Sequence, residues 1–160
     1  NKGRDILPFI NELKKIKETN LPILHLHTKK SPHEDALKNW GNDILNKLIS
    51  NSKNVGSILK IFEDTDVGII YPEFFDIIKD RINWGYNFGT AKFLLNKFKI
   101  DISLNDYLSF PAGSMMWLRL SAIKQLIDYE YEEKFFEEEN GQEDGTSAHA
   151  IERIYYSSFF

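Results

Sequence analysis

Residues 110–120 of this 160-residue chain read FPAGSMMWLRL, a turn of small residues followed by a run of large apolar ones. Small residues permit close approach of the backbone, and the apolar run after them is typical of a buried strand. We therefore expect a strand within 115–120. Two further apolar stretches bounded by turn residues, LPILHLH at 21–27 and VGIIY at 67–71, are expected to form buried strands as well.

Amphipathic helices are predicted between and around these strands. Apolar residues recur at intervals of three and four along each of them. The predicted helices cover residues 4–18, 31–49, 55–62 and 86–98. A further helix is predicted from Ser121 through Ile127, and the last one begins near Thr146. Pro8 lies one turn into the first helix, so that helix should begin near residues 5–7. Alternating strands and helices predict an α/β layered fold, with a sheet that is small or is completed by another part of the protein.

The composition excludes several classes of protein. The hydrophobic fraction is 42% and the charged fraction 28%, which is typical of a globular chain rather than a disordered one. No apolar run approaches the roughly 20 residues that a transmembrane helix needs, and no export signal is visible. The chain has no cysteine, which excludes a disulfide scaffold, a zinc ribbon and thiol catalysis.

The charge is distributed unevenly along the chain. Residues 1–60 hold eleven Lys/Arg and six Asp/Glu, a net +5, whereas residues 61–160 hold nine and eighteen, a net −9. A basic half suits anionic ligands such as phosphates, and an acidic half suits metals, sugars or general bases. Solvated helix faces are the alternative explanation. The overall charge of −4, without a basic stripe, argues against nucleic-acid binding.

The first candidate site follows the first predicted strand. His25 and His27 are two residues apart and share one face of a regular strand. Lys29, Lys30 and Ser31 come next, just ahead of a predicted helix. Ammonium groups, a hydroxyl and backbone N–H groups at a helix start are what an anion requires. The alternative is a solvated loop with one buried histidine, since a His-x-His pair is a weak metal signal.

The second candidate site is EDGT at 143–146 together with the helix that follows. His149, Glu152 and Arg153 fall at intervals of three and four, on one side of that helix. Asp144 would stand at the mouth of the helix, one turn from a histidine, which suits a general base or a metal ligand. The alternative is a simple helix cap followed by a surface Glu152–Arg153 pair.

The third candidate site is the small-residue turn of 110–117. Gly113 and Ser114 could line a pocket, and Trp117 could stack on a sugar ring. The same residues could equally be a turn that enters a core strand. The acidic stretch EYEEKFFEEE at 130–139 is interpreted as solvated and is given no chemistry.

Five stretches, read in order together with Trp40, resemble those of a known family: 1–9, 24–31, 67–72, 111–117 and 143–153. They resemble the rhamnan synthesis protein F family of bacterial cell-surface polysaccharide biosynthesis, with HTKKS and the DGT–AHAIER ending as the most specific motifs. The resemblance implies a glycosyltransferase that takes a sugar, rhamnose being expected, from a nucleotide sugar such as dTDP-rhamnose. It would add that sugar to rhamnan, O-antigen-type lipopolysaccharide or a similar cell-wall glycan.

The order of the features also resembles the GT-A glycosyltransferase fold, a Rossmann-like mixed sheet flanked by helices. Residues 1–160 would form a single glycosyltransferase-like domain. In that fold one or two strands precede the N-x-G segment, which stands at the start of this chain. We therefore expect a fragment of a longer protein that lacks its N-terminal strands.

The resemblance assigns the site residues to three groups. Those expected at the donor and its phosphates are Gly3, Arg4, Asp5, His27, Thr28, Lys29, Lys30, Ser31, His149 and Arg153. Those expected at the acceptor sugar are Gly113, Ser114 and Trp117. Asp144 or Glu143 would be the base that deprotonates the acceptor hydroxyl in an inverting displacement. The Asp-x-Asp metal motif of the fold is replaced by His27-Thr28-Lys29, so dependence on Mg²⁺ or Mn²⁺ stays open, and a lysine could neutralise the diphosphate instead.

The implied partners are a nucleotide sugar and a glycan or lipid-linked glycan acceptor, in the cytoplasm or at the inner face of the membrane. A non-catalytic polysaccharide-binding or assembly module is the main alternative, because the Asp-x-Asp motif is missing. A metal hydrolase that uses His25, His27, Asp144 and His149 is a third possibility.

Overall fold

The structure is a mixed α/β fold built on three short strands. The computed structural model describes residues 2–17, 19–28, 35–64, 66–132 and 134–155. Within these residues the elements follow in the order α1 (Ile6–Leu13), β1 (Ile23–His25), α2 (Trp40–Ile49), α3 (Ser52–Ile61), β2 (Ile69–Ile70), α4 (Phe88–Lys97), β3 (Met116–Leu118), α5 (Lys124–Asp128) and α6 (Ser147–Ile154). Short 3₁₀ helices cover Asp35–Leu37, Asp76–Arg81, Gly85–Asn87 and Leu120–Ile123. The predicted α/β class is confirmed.

The strand β3 forms the centre of the sheet, in the order β1–β3–β2. Both pairings are antiparallel, with Ile23 opposite Leu118 and His25 opposite Met116. The prediction of a mixed sheet is therefore wrong for these three strands, because apolar runs identify strands but carry no information on their direction of pairing. As a result, the end of β1 and the start of β3 lie side by side at the same end of the sheet.

Helices cover both faces of this sheet, because side chains alternate along each strand. Met116 and Leu118 of β3 pack with Ile23 and Ile69 into a core that α1, α4, α5 and α6 complete. Trp117 faces the other way, into a smaller core formed with α2 and α3. The turn-plus-apolar-run at 110–120 thus supplies the strand that separates the two cores.

Local capping explains where several helices begin. The side chain of Asn51 accepts a hydrogen bond from the backbone N–H of Asn54, which starts α3 after the predicted break. Thr146 caps α6 where the sequence predicts that helix to start. The helix expected from Ser121 is instead a 3₁₀ turn followed by α5, and Ser121 does not cap it. Ser31 and the predicted start of the second helix lie outside the described residues.

The acidic stretch at 130–139 is more than a solvated loop. Phe136 is buried in the larger core. The carboxylate of Glu137 accepts hydrogen bonds from the backbone N–H and the hydroxyl of Ser147, at 3.0 and 3.1 Å, at the N-terminus of α6. A carboxylate at that end of a helix is stabilised by the helix dipole. The interpretation of this stretch as wholly solvated is therefore wrong for Phe136 and Glu137, because it was based on the high density of acidic residues.

Arg119, directly after β3, connects three segments at the opposite end of the sheet. Its guanidinium group donates to backbone carbonyls of Val67 at 3.1 Å, Asn20 at 2.9 Å and Phe62. It therefore joins the segments that precede β1, follow α3 and precede β2. In the part of the chain that the structure describes, no helix is both long and apolar enough to cross a bilayer.

Shortening Leu118 should destabilise the fold, because this central-strand side chain is 0% exposed and borders the larger core. We expect Leu118→Ala to lower the free energy of unfolding by about 2–5 kcal/mol. The matched control, Leu21→Ala, alters a side chain that is 74% exposed and should change it by less than about 0.5 kcal/mol. Urea denaturation measures both, and equal effects would contradict the assigned centre of the sheet.

Candidate functional site

A cleft of about 440 Å³ lies where β1 ends and β3 begins. Its lining brings together ten residues that the sequence singled out: Arg4, Asp5, His27, Gly113, Ser114, Glu143, Asp144, His149, Glu152 and Arg153. They come from four separate segments of the chain. The antiparallel pairing of β1 and β3 brings two of these segments together, because it places His27, after β1, beside the turn at Gly113 and Ser114 before β3.

Helix α6 supplies three side chains to the cleft. Its apolar face, with Ile151 and Ile154, is fully buried in the larger core. His149, Glu152 and Arg153 line the cleft from the opposite side, as their spacing predicts. The predicted alternative, a surface Glu152–Arg153 pair, is wrong because each side chain binds a different segment.

Arg153 fixes the segment that contains Asp144. Its guanidinium group lies 3.2 Å from a carboxylate oxygen of Asp144, and its Nε donates to the backbone carbonyl of Asn83 at 2.9 Å. The same group lies 5.4 Å from the ring centre of Phe110. With its side chain only 11% exposed, the guanidinium group is largely shielded from water and is bound by fixed protein groups.

Asp144 is held as a carboxylate. The side-chain amide of Asn87, itself buried, donates to the same oxygen of Asp144 at 2.7 Å. Burial alone would raise the pKa of Asp144, but the hydrogen bond from Asn87, the charge of Arg153 and the backbone N–H of Gly145 outweigh it and hold the pKa below its ordinary value. A low pKa and fixed partners suit a positioning role better than proton uptake.

His149 connects the N-terminus of the chain to α6. Its Nε2 lies 2.6 Å from a guanidinium nitrogen of Arg4, and its Nδ1 lies 2.8 Å from the hydroxyl oxygen of Thr146. Arginine can only donate, so Nε2 accepts from Arg4. The backbone N–H of Thr146 lies 3.3 Å from Nδ1, which completes the capping box at the start of α6. Burial, reinforced by the charge of Arg4, lowers the pKa of His149 to about 4. The ring is therefore neutral at physiological pH.

Arg4 is held in an unusual backbone conformation. Its φ is +53°, a left-handed value that costs a residue with a side chain of order 1–3 kcal/mol. The side chain is anchored by Glu139, 2.9 Å from Nε, and by the carbonyl of Gln142 at 2.5 Å. Gly3 precedes it with φ +67°, and a Cβ there would lie 2.5 Å from the Cβ of Leu7. These contacts place the guanidinium group in the cleft.

Glu152 shapes the turn before β3. Its carboxylate accepts from the backbone N–H of Gly113 at 2.7 Å and from the hydroxyl of Ser114 at 3.3 Å. Gly113 has φ +89°, and a Cβ there would lie 2.9 Å from Ile44 and 3.4 Å from the ring of Trp40. Only glycine suits both that conformation and that space.

The two histidines after the first strand separate in the structure. His27 lines the cleft, and its Nε2 donates to the carbonyl of Gly113 at 2.8 Å. His25 is buried, with its ring stacked 3.6 Å from that of Phe9 and its Nδ1 2.6 Å from the carbonyl of Ser114. Burial lowers the pKa of His25 to about 4, although the hydrogen bond to Ser114 acts in the opposite direction.

The residues of the cleft do not fit a Mg²⁺ or Mn²⁺ site. Among the described residues, no three imidazole or carboxylate side chains converge as metal ligands would. His25, His27 and His149 each direct a ring nitrogen at a protein partner, and Asp144 is bound by Asn87 and Arg153. This geometry removes the support for the metal-hydrolase hypothesis.

Other predicted site residues lie elsewhere. Trp117 is buried in the smaller core and donates to the carbonyl of Leu48 at 3.3 Å, so the prediction that it stacks on a sugar ring is wrong. Trp40 lines the cleft instead. Gly3 is buried and Thr28 is exposed, and neither belongs to the lining of the cleft. Residues 29–31, with the predicted phosphate-binding lysines and serine, lie outside the described residues.

Sequence patterns predict no site role for Trp40, Arg81 and Asn83, which line the cleft, or for Asn87 and Glu139, which bind Asp144 and Arg4. Asn87 and Glu139 give no sequence signal, because each acts through a partner far along the chain. Glu152 was visible through its spacing from His149, but its partner in the turn before β3 was not.

Comparison with known proteins identifies the family. A model of the rhamnan synthesis protein F family matches residues 1–158. The chain therefore belongs to this family, as the HTKKS and DGT–AHAIER motifs indicated, and the family is one of rhamnan and polysaccharide synthesis.

The relatives are much longer proteins. WxcX of Xanthomonas campestris pv. campestris (strain B100), described as uncharacterized, is 38% identical over 157 residues, which is 96% of this chain and 22% of WxcX. The WxcX protein of strain ATCC 33913 is 37% identical with the same coverage. The chain thus spans about a fifth of the length of these curated relatives. No solved structure matches it.

The neutral buried rings of His25 and His149 should make stability depend on pH between about 6.5 and 4. In that window the unfolded chain binds a proton at each histidine and the folded chain does not, so stability falls as the pH falls. Two such groups contribute roughly 3 kcal/mol each. Urea unfolding at pH 7.0, 5.5 and 4.5 should show this loss.

His149→Gln tests the assignment, because the amide keeps polar contacts without titrating. We expect the loss of stability between pH 6.5 and 4 to shrink by about half in this variant. A pH dependence equal to that of the unaltered chain would show that His149 is not the buried neutral group described.

Proposed function

We propose that this chain forms a sugar-binding cleft in which a glycosyl group is transferred during polysaccharide synthesis. The observation that carries the proposal is the alternation of guanidinium and carboxylate groups beside the rings of Trp40 and Phe110 in one cleft. Sugar hydroxyls both donate and accept, so they match mixed arrays of fixed charged groups. Aromatic rings supply the apolar surface that packs on the C–H face of a sugar.

The charge of the cleft favours a sugar over a bare diphosphate. Three arginines line it against four carboxylates: Arg4, Arg81 and Arg153 against Asp5, Glu143, Asp144 and Glu152. Arg4 and Arg153 already bind Glu139 and Asp144, respectively. The phosphates of a nucleotide-sugar donor would therefore need other cations, and Lys29 and Lys30 stay our prediction for that role.

Glu143 is the better candidate for the catalytic base. It is exposed at the cleft and makes no hydrogen bond or ion pair with any other described residue, whereas Asp144 is held by Asn87 and Arg153. In the proposed step, an acceptor hydroxyl oxygen attacks the anomeric carbon and Glu143 takes its proton. The bond to the nucleoside diphosphate breaks, and that group leaves with the electron pair. Asp144, held by Asn87 and Arg153, positions Glu143.

The rest of the transfer machinery is proposed to lie outside this chain. The relatives are much longer, and the chain covers 22% of their length. A GT-A-like sheet completed by strands in front of this chain, with the nucleotide pocket on them and rhamnose as the transferred sugar, stays our proposal for the full protein.

A glycan-binding module without transfer activity is the second candidate. It is favoured by the arginines already engaged in ion pairs and by the poor fit of the cleft to a metal ion. Both candidates use the same cleft, and they differ in whether Glu143 is needed after the sugar has bound.

Glu143→Gln in the full-length protein should separate the two candidates. General-base catalysis contributes typically 10²–10⁴-fold, so we expect transfer from dTDP-rhamnose to fall by at least about 100-fold while glycan binding stays within about twofold. The matched control is Glu130→Gln, an exposed glutamate of the acidic stretch outside the cleft, which should leave both unchanged. Transfer is measured by release of the nucleoside diphosphate.

Two outcomes would contradict the proposed base. Unchanged transfer in Glu143→Gln would exclude it from the reaction. Absence of transfer in the unaltered protein with a panel of nucleotide sugars, accompanied by glycan binding, would favour the binding module.

A further inference from the structure

A second depression adjoins the cleft. It encloses about 680 Å³ and is lined by the aromatic side chains of Phe74, Trp84 and Tyr107, with polar groups including Asn83. We refer to it as the aromatic groove. Ile82 and Asn83 line both the cleft and the groove, so one short segment forms the wall between them.

The aromatic surface continues from one depression into the other. Phe74 of the groove lies with its ring centre 6.0 Å from that of Phe110, which lines the cleft. At the outer end of the groove, Tyr107 is 87% exposed and Leu104 is 63% exposed. Large apolar side chains exposed together mark an interaction surface more often than single exposed residues do.

The wall between the two depressions is held in place. The carbonyl of Asn83 accepts from Nε of Arg153 at 2.9 Å, and its side-chain amide donates to the carbonyl of Arg81 at 3.0 Å. Arg153 therefore fixes both Asp144 in the cleft and the segment bordering the groove. A ligand that occupied both depressions would meet surfaces held by the same residue.

The groove carries little net charge that would select an anion. The ammonium group of Lys79 lies 2.8 Å from Asp76 and 3.6 Å from Glu73. The carboxylate of Asp106 accepts from the backbone N–H of Ser103 at 2.7 Å. Exposed aromatic rings with a few fixed polar groups suit a neutral, hydroxyl-bearing ligand.

We propose that the aromatic groove binds the sugar units of the acceptor glycan that follow the unit in the cleft. This inference rests on the proposed function. The reacting end of the glycan would lie beside Glu143, and the next units would cross the Ile82–Asn83 wall and pack against Phe74 and Tyr107. The cleft and the groove each exceed the roughly 300 Å³ at which small-molecule sites begin, so together they accommodate an oligosaccharide.

The test compares free rhamnose with a rhamnose tetrasaccharide in the full-length protein. Binding is measured by calorimetry, which does not require transfer. We expect the tetrasaccharide to bind at least tenfold more tightly than the monosaccharide. We expect Tyr107→Ala to weaken tetrasaccharide binding about three- to tenfold, because one aromatic contact is lost, and to leave rhamnose binding unchanged.

Tyr86→Ala is the matched control. Tyr86 is 89% exposed and lies outside the lining of both depressions, so this variant should bind both ligands like the unaltered protein. Equal affinities for the two ligands, or a Tyr107→Ala effect on both alike, would overturn the groove proposal. Absence of transfer in the unaltered protein, with the difference in affinity between the two ligands intact, would count against the proposed reaction and leave the groove supported.

Discussion

The guanidinium group of Arg153 is the contact on which the site depends. It binds the carboxylate of Asp144 and donates a hydrogen bond to the backbone carbonyl of Asn83. A largely shielded charge of this kind is costly without a counter-ion, so removal of the Asp144 carboxylate would leave the guanidinium group without its ion-pair partner. The ion pair thereby fixes two loops that no secondary structure connects. The cleft and the aromatic groove share a wall because of it.

Helix α6 places that contact. Its apolar face, with Ile151 and Ile154, packs in the larger core, and its polar face holds three segments at once. His149 meets Arg4, Glu152 meets the turn at Gly113, and Arg153 meets Asp144. A helix anchored by its core face orients these side chains more rigidly than a loop would. The carboxylate of Glu143, just before the helix, is left unengaged within the described residues, and for this reason we propose it as the base.

Sequence reasoning predicted the parts of this structure that depend on local patterns. Apolar periodicity located the helices and all three strands, and the spacing of His149, Glu152 and Arg153 placed them on one face of α6. Pairings between distant segments were beyond it: the antiparallel register of β3, the contact of Glu139 with Arg4, and the burial of Trp117 in the smaller core. These contacts join residues that are far apart in the sequence, so local sequence patterns do not predict them. The acidic stretch shows the limit well, because its charge predicted solvation while Phe136 and Glu137 pack and bind.

The central claim is that sugar binds in the cleft organised by Arg153. Hydrogen–deuterium exchange of the full-length protein, with and without the rhamnose tetrasaccharide and dTDP-rhamnose, tests it most directly. We predict slower exchange in peptides that cover residues 81–87, 110–114 and 143–149, and little change in those of α3 and α5. Protection confined to other parts of the protein, with no change in those three segments, would contradict the account.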